Sequence, residues 1–286
     1  MITRSLAKFH SVTVATLLWA VVGTAESPSA QAGGDTIVLA PHRAVYDLKL
    51  LESRGKQPLQ AAHGRILYDF SGSPCEGYTL SFRQVTELDS GEGKTAISDL
   101  RTTNWEQGAG QSFRFASTNL LNNEPVEAAE GRAERAGDHV TVTLTRPQPK
   151  TFDAGDVVFP SEHMRRIIAA ARAGKPLLEV GVYDGSEAGE KIYNSLTVIG
   201  HAVEAPGRQP TDAAAGQQGL AGVKRWPVTV SYFDRAKGEG DQTPLYSISF
   251  EAYENGIARA LKLDYGDFIL VGEMTTLELK EAKPCP

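Results

Sequence analysis

The sequence predicts an all-β protein, an antiparallel sheet of roughly a dozen strands closed into a barrel or coiled over itself, with one short helix. Three features point to it. Strand-like runs follow one another at near-regular spacing, separated by clusters of Gly, Pro, Ser, Asn and Asp. The runs alternate, most cleanly at Val140-Thr141-Val142-Thr143-Leu144-Thr145, where one face is aliphatic and the other is threonine, so one side is buried and the other wet. A single helical repeat interrupts them, within Phe152 to Ser186, and parallel α/β layouts would require many.

The strands expected before the helix are 43–51, 61–69, 78–88, 95–105, 111–118, 124–133 and 139–145, with turns at Ser71-Gly72-Ser73-Pro74, Ser90-Gly91-Glu92-Gly93 and Ala136-Gly137-Asp138. The helix is expected over 162–173, about 18 Å long at 1.5 Å per residue. Met164, Ile167, Ile168 and Ala171 recur at helical spacing and form its apolar face, while Arg165, Arg166 and Arg172 fall mostly on the other side, read as a solvated face. Ser161 is the expected cap and Glu162 lies in the favourable first turn. Gly174 before Lys175-Pro176 supplies a left-handed stop. Strands follow at 176–183, 191–202, 225–233, 243–253, 257–265 and 268–280. Asn255-Gly256 reads as a type I′ hairpin and Gly266-Asp267 as a second hairpin. Residues 205–222, rich in Gly, Pro, Ala and Gln, read as a mobile surface loop within a single domain spanning 33–286.

The first 32 residues read as a Sec-type signal peptide. Arg4 and Lys8 precede the apolar run Val12 to Val22, which is too short to span a bilayer, and Ser29-Ala30-Gln31-Ala32 offers small residues for cleavage after Ala32. A periplasmic location without a transmembrane segment in the mature chain is the consequence. The formal charge is −6, or −7 once Arg4, Lys8 and Glu26 are removed, and such a surface excludes nucleic acid as a partner class. Cys75 and Cys285, the two cysteines, form an even pair in an oxidising compartment and are expected to be disulfide-bonded.

Catalytic and cofactor signatures are sparse. GxSxG, HExxH and GxGxxG are absent, and Gly93-Lys94-Thr95 lacks the first glycine of a P-loop because position 88 is Leu88. Ser53-Arg54-Gly55-Lys56 matches SxxK, but its companion elements are missing and Ser5-Leu6-Ala7-Lys8 matches equally. His42, His63, His139, His163 and His201 show no metal-ligand spacing. His163, in the first helical turn, is expected to be a neutral ring bonded to a nearby strand, with a pH-sensitive helix latch as the sharper reading. Asp153, Asp156 and Asp184 read as turn carboxylates rather than a calcium site. No metal, cofactor or catalytic residue is assigned.

Phe159-Pro160-Ser161-Glu162-His163, the alanine-rich helix ending Ala169-Ala170-Ala171-Arg172-Ala173-Gly174-Lys175, Tyr183-Asp184-Gly185-Ser186 and the close Val198-Ile199-Gly200 together resemble the cell-envelope integrity protein EipB family of alphaproteobacteria. The resemblance runs the length of the mature chain, with cysteines at the places of Cys75 and Cys285. It implies a periplasmic antiparallel β-spiral, a broken barrel similar in general form to LolA and LolB, held by one disulfide. It also implies an envelope role and an apolar cavity for an amphipathic ligand.

The functional expectation is a non-enzymatic envelope protein binding a lipid or other amphipathic molecule, because a curled sheet of a dozen or so strands encloses more than one short helix fills. Met164, Ile167, Ile168 and Ala171 are the residues expected to plug or line the cavity. A structural protein contacting other envelope proteins without a ligand is the alternative, followed by a cell-wall or lipid hydrolase. An outer-membrane barrel fits poorly, since the faces opposite the apolar ones carry Thr, Glu, Lys and Arg.

Overall fold

Short hairpins order most of the sheet, because a turn of two to seven residues returns the chain beside the strand it has just left. The computed structural model describes residues 37–55, 58–91, 93–204, 219–238 and 243–282, with Asp212, Ala214, Gly216 and Cys285. The expected signal peptide lies outside these residues, as does Lys56 of the SxxK match. Fourteen strands are present among them: β1 His42–Ser53, β2 Ala61–Ser73, β3 Gly77–Asp89, β4 Thr95–Glu106, β5 Ser112–Leu121, β6 Glu124–Ala136, β7 His139–Arg146, β8 Lys150–Gly155, β9 Leu177–Val182, β10 Tyr193–Ile199, β11 Arg225–Asp234, β12 Tyr246–Tyr253, β13 Ala258–Asp264 and β14 Phe268–Leu279. They form one antiparallel sheet in the order β8-β7-β6-β5-β4-β3-β2-β1-β14-β13-β12-β11-β10-β9. One crossover departs from pure hairpin succession, where β1 pairs with β14. The sheet is not closed by strand pairing, and β8 and β9 are its edges. The chain between those edges makes a single parallel bridge, Val158 to Val182, and then enters helix α1, Pro160–Arg172. Arg235 stitches the same seam, donating to the carbonyls of Ala154 and Asp156 and to Asn194 Oδ1.

Several details differ from the sequence expectations, each for a local reason. Strand β8 is additional. Phe152, assigned to the helical stretch, instead pairs with Val142 across the ladder. The hairpin at Asn255-Gly256 is not type I′, because only Gly256 takes positive φ (86°) and the loop closes by Gly256 N–H to Tyr253 O, 2.9 Å. A Cβ on Gly256 would sit 2.6 Å from Leu39 Cδ2, so glycine is demanded by space as well as by φ. The two-residue turn with positive φ at both positions is Asn122-Asn123, between β5 and β6 (53° and 66°). Asn tolerates the left-handed region nearly as well as Gly, and the Asn122 side chain also accepts the Ile97 amide. Most of 205–222 lies outside the described residues. Of those described, Asp212, Ala214 and Leu220 are buried, Ala214 and Leu220 against the cluster that holds Tyr46, Tyr253 and Leu270.

The cap of α1 is also not the one expected. Pro160 occupies the first helical position, where its missing N–H costs nothing, and Ser161 is inside the first turn without capping it. The free amides of Ser161 and Glu162 instead donate to Glu106 at the end of β4, at 2.6 and 2.8 Å. At the other end Gly174 is left-handed (φ 68°) and Lys175 N–H reaches Ala170 O, a glycine stop of the expected kind. The basic face is not all solvated. Arg165 is largely buried and donates to Gly108 O at 2.5 Å, whereas Arg166 pairs with Glu162 one turn back.

The apolar face of α1 splits two ways. Ile167, Ala170 and Ala171 pack on Ile199, Trp226, Val228, Val230 and Ala252, whereas Ile168 meets Leu39, Phe70 and Tyr78 with Met164 at its margin. Burying Ile167 and Ile168 is worth about 1.5–3 kcal/mol each, enough to hold a thirteen-residue helix that would be marginal alone. Cys75, in the β2–β3 turn, is disulfide-bonded to Cys285, 210 residues later, with 5.7 Å between Cα atoms.

Candidate functional site

The inward faces of the strands do not meet in one continuous core. Separate apolar clusters form around Tyr46 and Leu270, around Phe113 and Tyr183, and beneath α1. Between them lies a cavity of about 640 Å³, bordered by side chains from most strands and from α1. Its walls are mainly apolar, including Ile66, Phe82, Leu100, Val230, Ile248 and Leu261. Met164 and Ile167 of the helix line it. Ile168 and Ala171 pack between helix and sheet instead. This size falls within the ~300–1,000 Å³ usual for small-molecule sites.

Polar side chains of β3 to β6, among them Gln84, Asn104, Asn119 and Glu127, also reach the wall, and a further polar region is shaped by the chain leaving β9. Tyr183 is fully buried against Phe113, Phe115 and Phe152, and its hydroxyl donates to Gly189 O at 2.7 Å. Gly185 follows with φ 74°, and a Cβ there would lie 2.4 Å from the Phe115 ring. That close approach folds Asp184 and Ser186 back toward the cavity, where Asp184 Oδ1 accepts the Ser186 amide at 2.9 Å. Glu187 and Ala188 continue with positive φ (46° and 59°), unusual for residues with side chains. Ser186 Oγ and Tyr193 Oη are 2.8 Å apart, and the Tyr193 hydroxyl also donates to Glu187 Oε1 at 3.1 Å.

Three tyrosines meet beside these carboxylates. Tyr232 and Tyr246 are direct neighbours across β11 and β12 and stack at 4.6 Å. Tyr193 stands nearly perpendicular to both, at 5.6 and 5.7 Å. Burial pushes all three phenols above their ordinary range, and the charge of Asp184 adds to it. Asp184 itself is pushed up by burial, against the pull of its bonds to Ser186.

His163 opens onto the same cavity. Its Nε2 lies 3.4 Å from Ser195 Oγ on β10, and its ring meets Tyr232 edge-on at 6.3 Å. Burial, helped by the neighbouring Arg166 charge, brings its pKa down to about 4, so the ring is neutral at ordinary pH. The Ser195 hydroxyl donates to Val180 O at 3.0 Å, so the contact with His163 is one in which Nε2–H donates to Oγ. Ser195 is buried behind the wall rather than lining the cavity, which is not the arrangement of a nucleophile and base facing a substrate.

The other singled-out residues lie elsewhere. Ser53 accepts the Leu59 amide at 2.8 Å in the β1–β2 connection. Asp153 accepts the Gly155 amide and faces His139 at 3.1 Å on the exposed surface. Sequence reasoning missed Glu106, Tyr193, Tyr232 and Tyr246. The aromatic alternation in β11 and β12 was a signal for the two stacked tyrosines, but nothing in the local sequence linked Glu106 to a helix 55 residues downstream. Among the described residues no helix is long and apolar enough to cross a membrane, and no group of three or more His, Cys, Asp or Glu side chains has metal-binding geometry.

Comparison with known proteins agrees with the fold. The family model described as EipB-like matches residues 34–281. A cell envelope integrity protein EipB from Brucella abortus (strain 2308) is 35% identical over 263 residues, covering 92% of this chain and 90% of that protein. The crystal structure of a β-barrel-like protein of a domain of unknown function, also from Brucella abortus, superposes with a TM-score of 0.77 at 34% identity, over 85% of this chain and 99% of that one. The chain belongs to the EipB-like family.

Proposed function

We propose that this protein is a periplasmic envelope integrity protein that acts by holding a lipid or other single-tailed amphipath in the cavity enclosed by its sheet. The observation that carries the reading is the cavity of about 640 Å³ itself, apolar over most of its wall with polar groups set into it, which matches a molecule with a tail and a head. Each methylene moved from water onto such a wall gains about 0.8 kcal/mol before the costs of association, so a tail of ordinary length supplies useful affinity without a strong polar contact. Membership of a family that includes a cell envelope integrity protein supports the envelope role. The disulfide fits an oxidising compartment. Binding rather than catalysis fits Ser195, whose hydroxyl is spent on Val180.

The test is mass spectrometry of the protein purified from the envelope fraction without detergent, followed by titration with twelve- to sixteen-carbon amphiphiles. Co-purifying lipid, or saturable binding weakened by Met164→Arg, supports the proposal. A protein that carries nothing and binds none of the amphiphiles contradicts it.

A further inference from the structure

The charge on the cavity wall is one-sided. Glu127, Asp184, Glu187 and Asp264 line it, and among the described residues no Lys or Arg does. The nearest basic side chain to Glu187 is engaged outside the cavity wall: Lys191 pairs with Asp234 at 2.9 Å and reaches Glu187 at 3.4 Å. Asp184 has no basic partner among the described residues, and its bonds go to Ser186 and to its own backbone amide. Asp264 is matched by Arg54 at 3.1 Å and Glu187 by Lys191, but a carboxylate in an apolar enclosure is costly unless a countercharge arrives, so Asp184 leaves an unmet demand for a cation.

The aromatic groups beside them point the same way. Tyr193 stands across the stacked Tyr232–Tyr246 pair and makes a right-angled corner of rings facing the cavity. Ring faces attract cations, and quaternary ammonium groups are recognised in this manner elsewhere. The hydroxyls of Tyr232 and Tyr246 have no hydrogen-bond partner among the described residues, so the corner is not filled by the protein's own polar groups. Core packing alone would bring the rings together, but it would not place Asp184, a carboxylate without a basic partner among the described residues, beside them or leave the wall free of basic residues.

We propose that the cavity selects amphipaths whose head carries a positively charged ammonium group, seated in the corner of Tyr193, Tyr232 and Tyr246 with Asp184 and Glu187 as its countercharge. The inference rests on the reading that the cavity holds an amphipath, and narrows its head-group chemistry. Anionic heads are disfavoured because at this corner they would meet Asp184 and Glu187, and no Lys or Arg among the described residues lines the wall. Neutral heads would bind through the tail alone.

The experiment uses three probes with one tail length, dodecyltrimethylammonium, dodecyl maltoside and dodecanoate, each titrated calorimetrically into the mature protein below its micelle concentration. The trimethylammonium probe is expected to bind at least about tenfold more tightly than dodecanoate, about 1.4 kcal/mol. Asp184→Asn should remove most of that difference and leave the maltoside unchanged. Equal or tighter binding of dodecanoate, or an Asp184→Asn protein that keeps the full preference, overturns the head-group inference while tail binding stands. If none of the three probes binds, the cavity reading falls and takes this inference with it. Should Asp184→Asn fail to fold, Glu187→Gln on the exposed side of the corner carries the test. Loss of preference supports the inference and an unchanged preference overturns it.

Discussion

Acidification forces a charge onto His163 that its surroundings resist, and the cost appears as lost stability in a defined pH window. The ring is 4% exposed, sits under α1 against Ser195 and Tyr232, and its pKa is brought down to about 4 by burial and then by Arg166. In the unfolded chain it titrates near 6.5, so the unfolded state binds the proton first. Stability is therefore full above about pH 6.5 and is lost as pH falls through that value toward 4. At about 1.4 kcal/mol per pH unit, the whole displacement amounts to about 3 kcal/mol. Glu106 has the opposite sign. Burial pushes its carboxyl up to about 7 from 4.5, against the pull of the helix amides and Arg165, so its contribution is full below about pH 4.5 and is lost as pH rises toward 7. Between about pH 4.5 and 6.5 the two slopes largely cancel, and the wild-type profile alone is uninformative. Guanidinium unfolding followed by tryptophan fluorescence, repeated from pH 4 to 7.5, separates them in variants. His163→Gln should gain about 3 kcal/mol relative to wild type on going from pH 7 to 4, and Glu106→Gln should show the reverse trend. If the His163→Gln and wild-type profiles run parallel within ~0.5 kcal/mol, the buried neutral ring is not what that position contributes, and the reasoning fails.

The helix contacts make a paired prediction. Ile168 is fully buried against Leu39, Phe70 and Tyr78, so Ile168→Asp should cost more than about 4 kcal/mol or prevent folding, whereas Arg172→Ala removes a half-exposed pair with Glu254 at 2.9 Å and should cost less than about 1 kcal/mol in the same melting assay. Cys285→Ser opens a loop of 210 residues, and the chain-entropy model sets the loss at up to about 5 kcal/mol, which reduction of the wild type should reproduce in denaturant unfolding. Gly185→Val meets both a positive φ and the Phe115 ring, so a drop of more than about 2 kcal/mol is expected, together with weaker amphiphile binding, because the segment carrying Asp184 must move.

Much of the fold was legible because hairpins are local. Alternation in β7, turn residues at Gly137-Asp138 and the lone amphipathic repeat around Ile167 are written in neighbouring positions, and they suffice for an antiparallel sheet with one helix. Strand β8 does not register in the sequence because its six residues follow two prolines, end in a glycine and carry one large apolar side chain, too little alternation to read. The loop reading of 205–222 followed composition, which cannot see that Asp212 meets Arg259 at 2.6 Å inside the protein. The Cys75–Cys285 bond was inferred by counting, since two cysteines in an exported chain leave one pairing.

By itself, then, the sequence determined the strand pattern, the helix with its left-handed glycine stop, the disulfide and the family. The tertiary structure alone decided that Glu106 caps α1 from 55 residues away, that β1 closes onto β14, and that the acids and tyrosines of four separate segments share one wall of a cavity. The physical reason is range. Turn chemistry and periodicity act over a few residues, but a cap supplied in trans, a cavity wall and a countercharge depend on which inward faces the curled sheet brings together, and that is set by register and curvature summed over all fourteen strands.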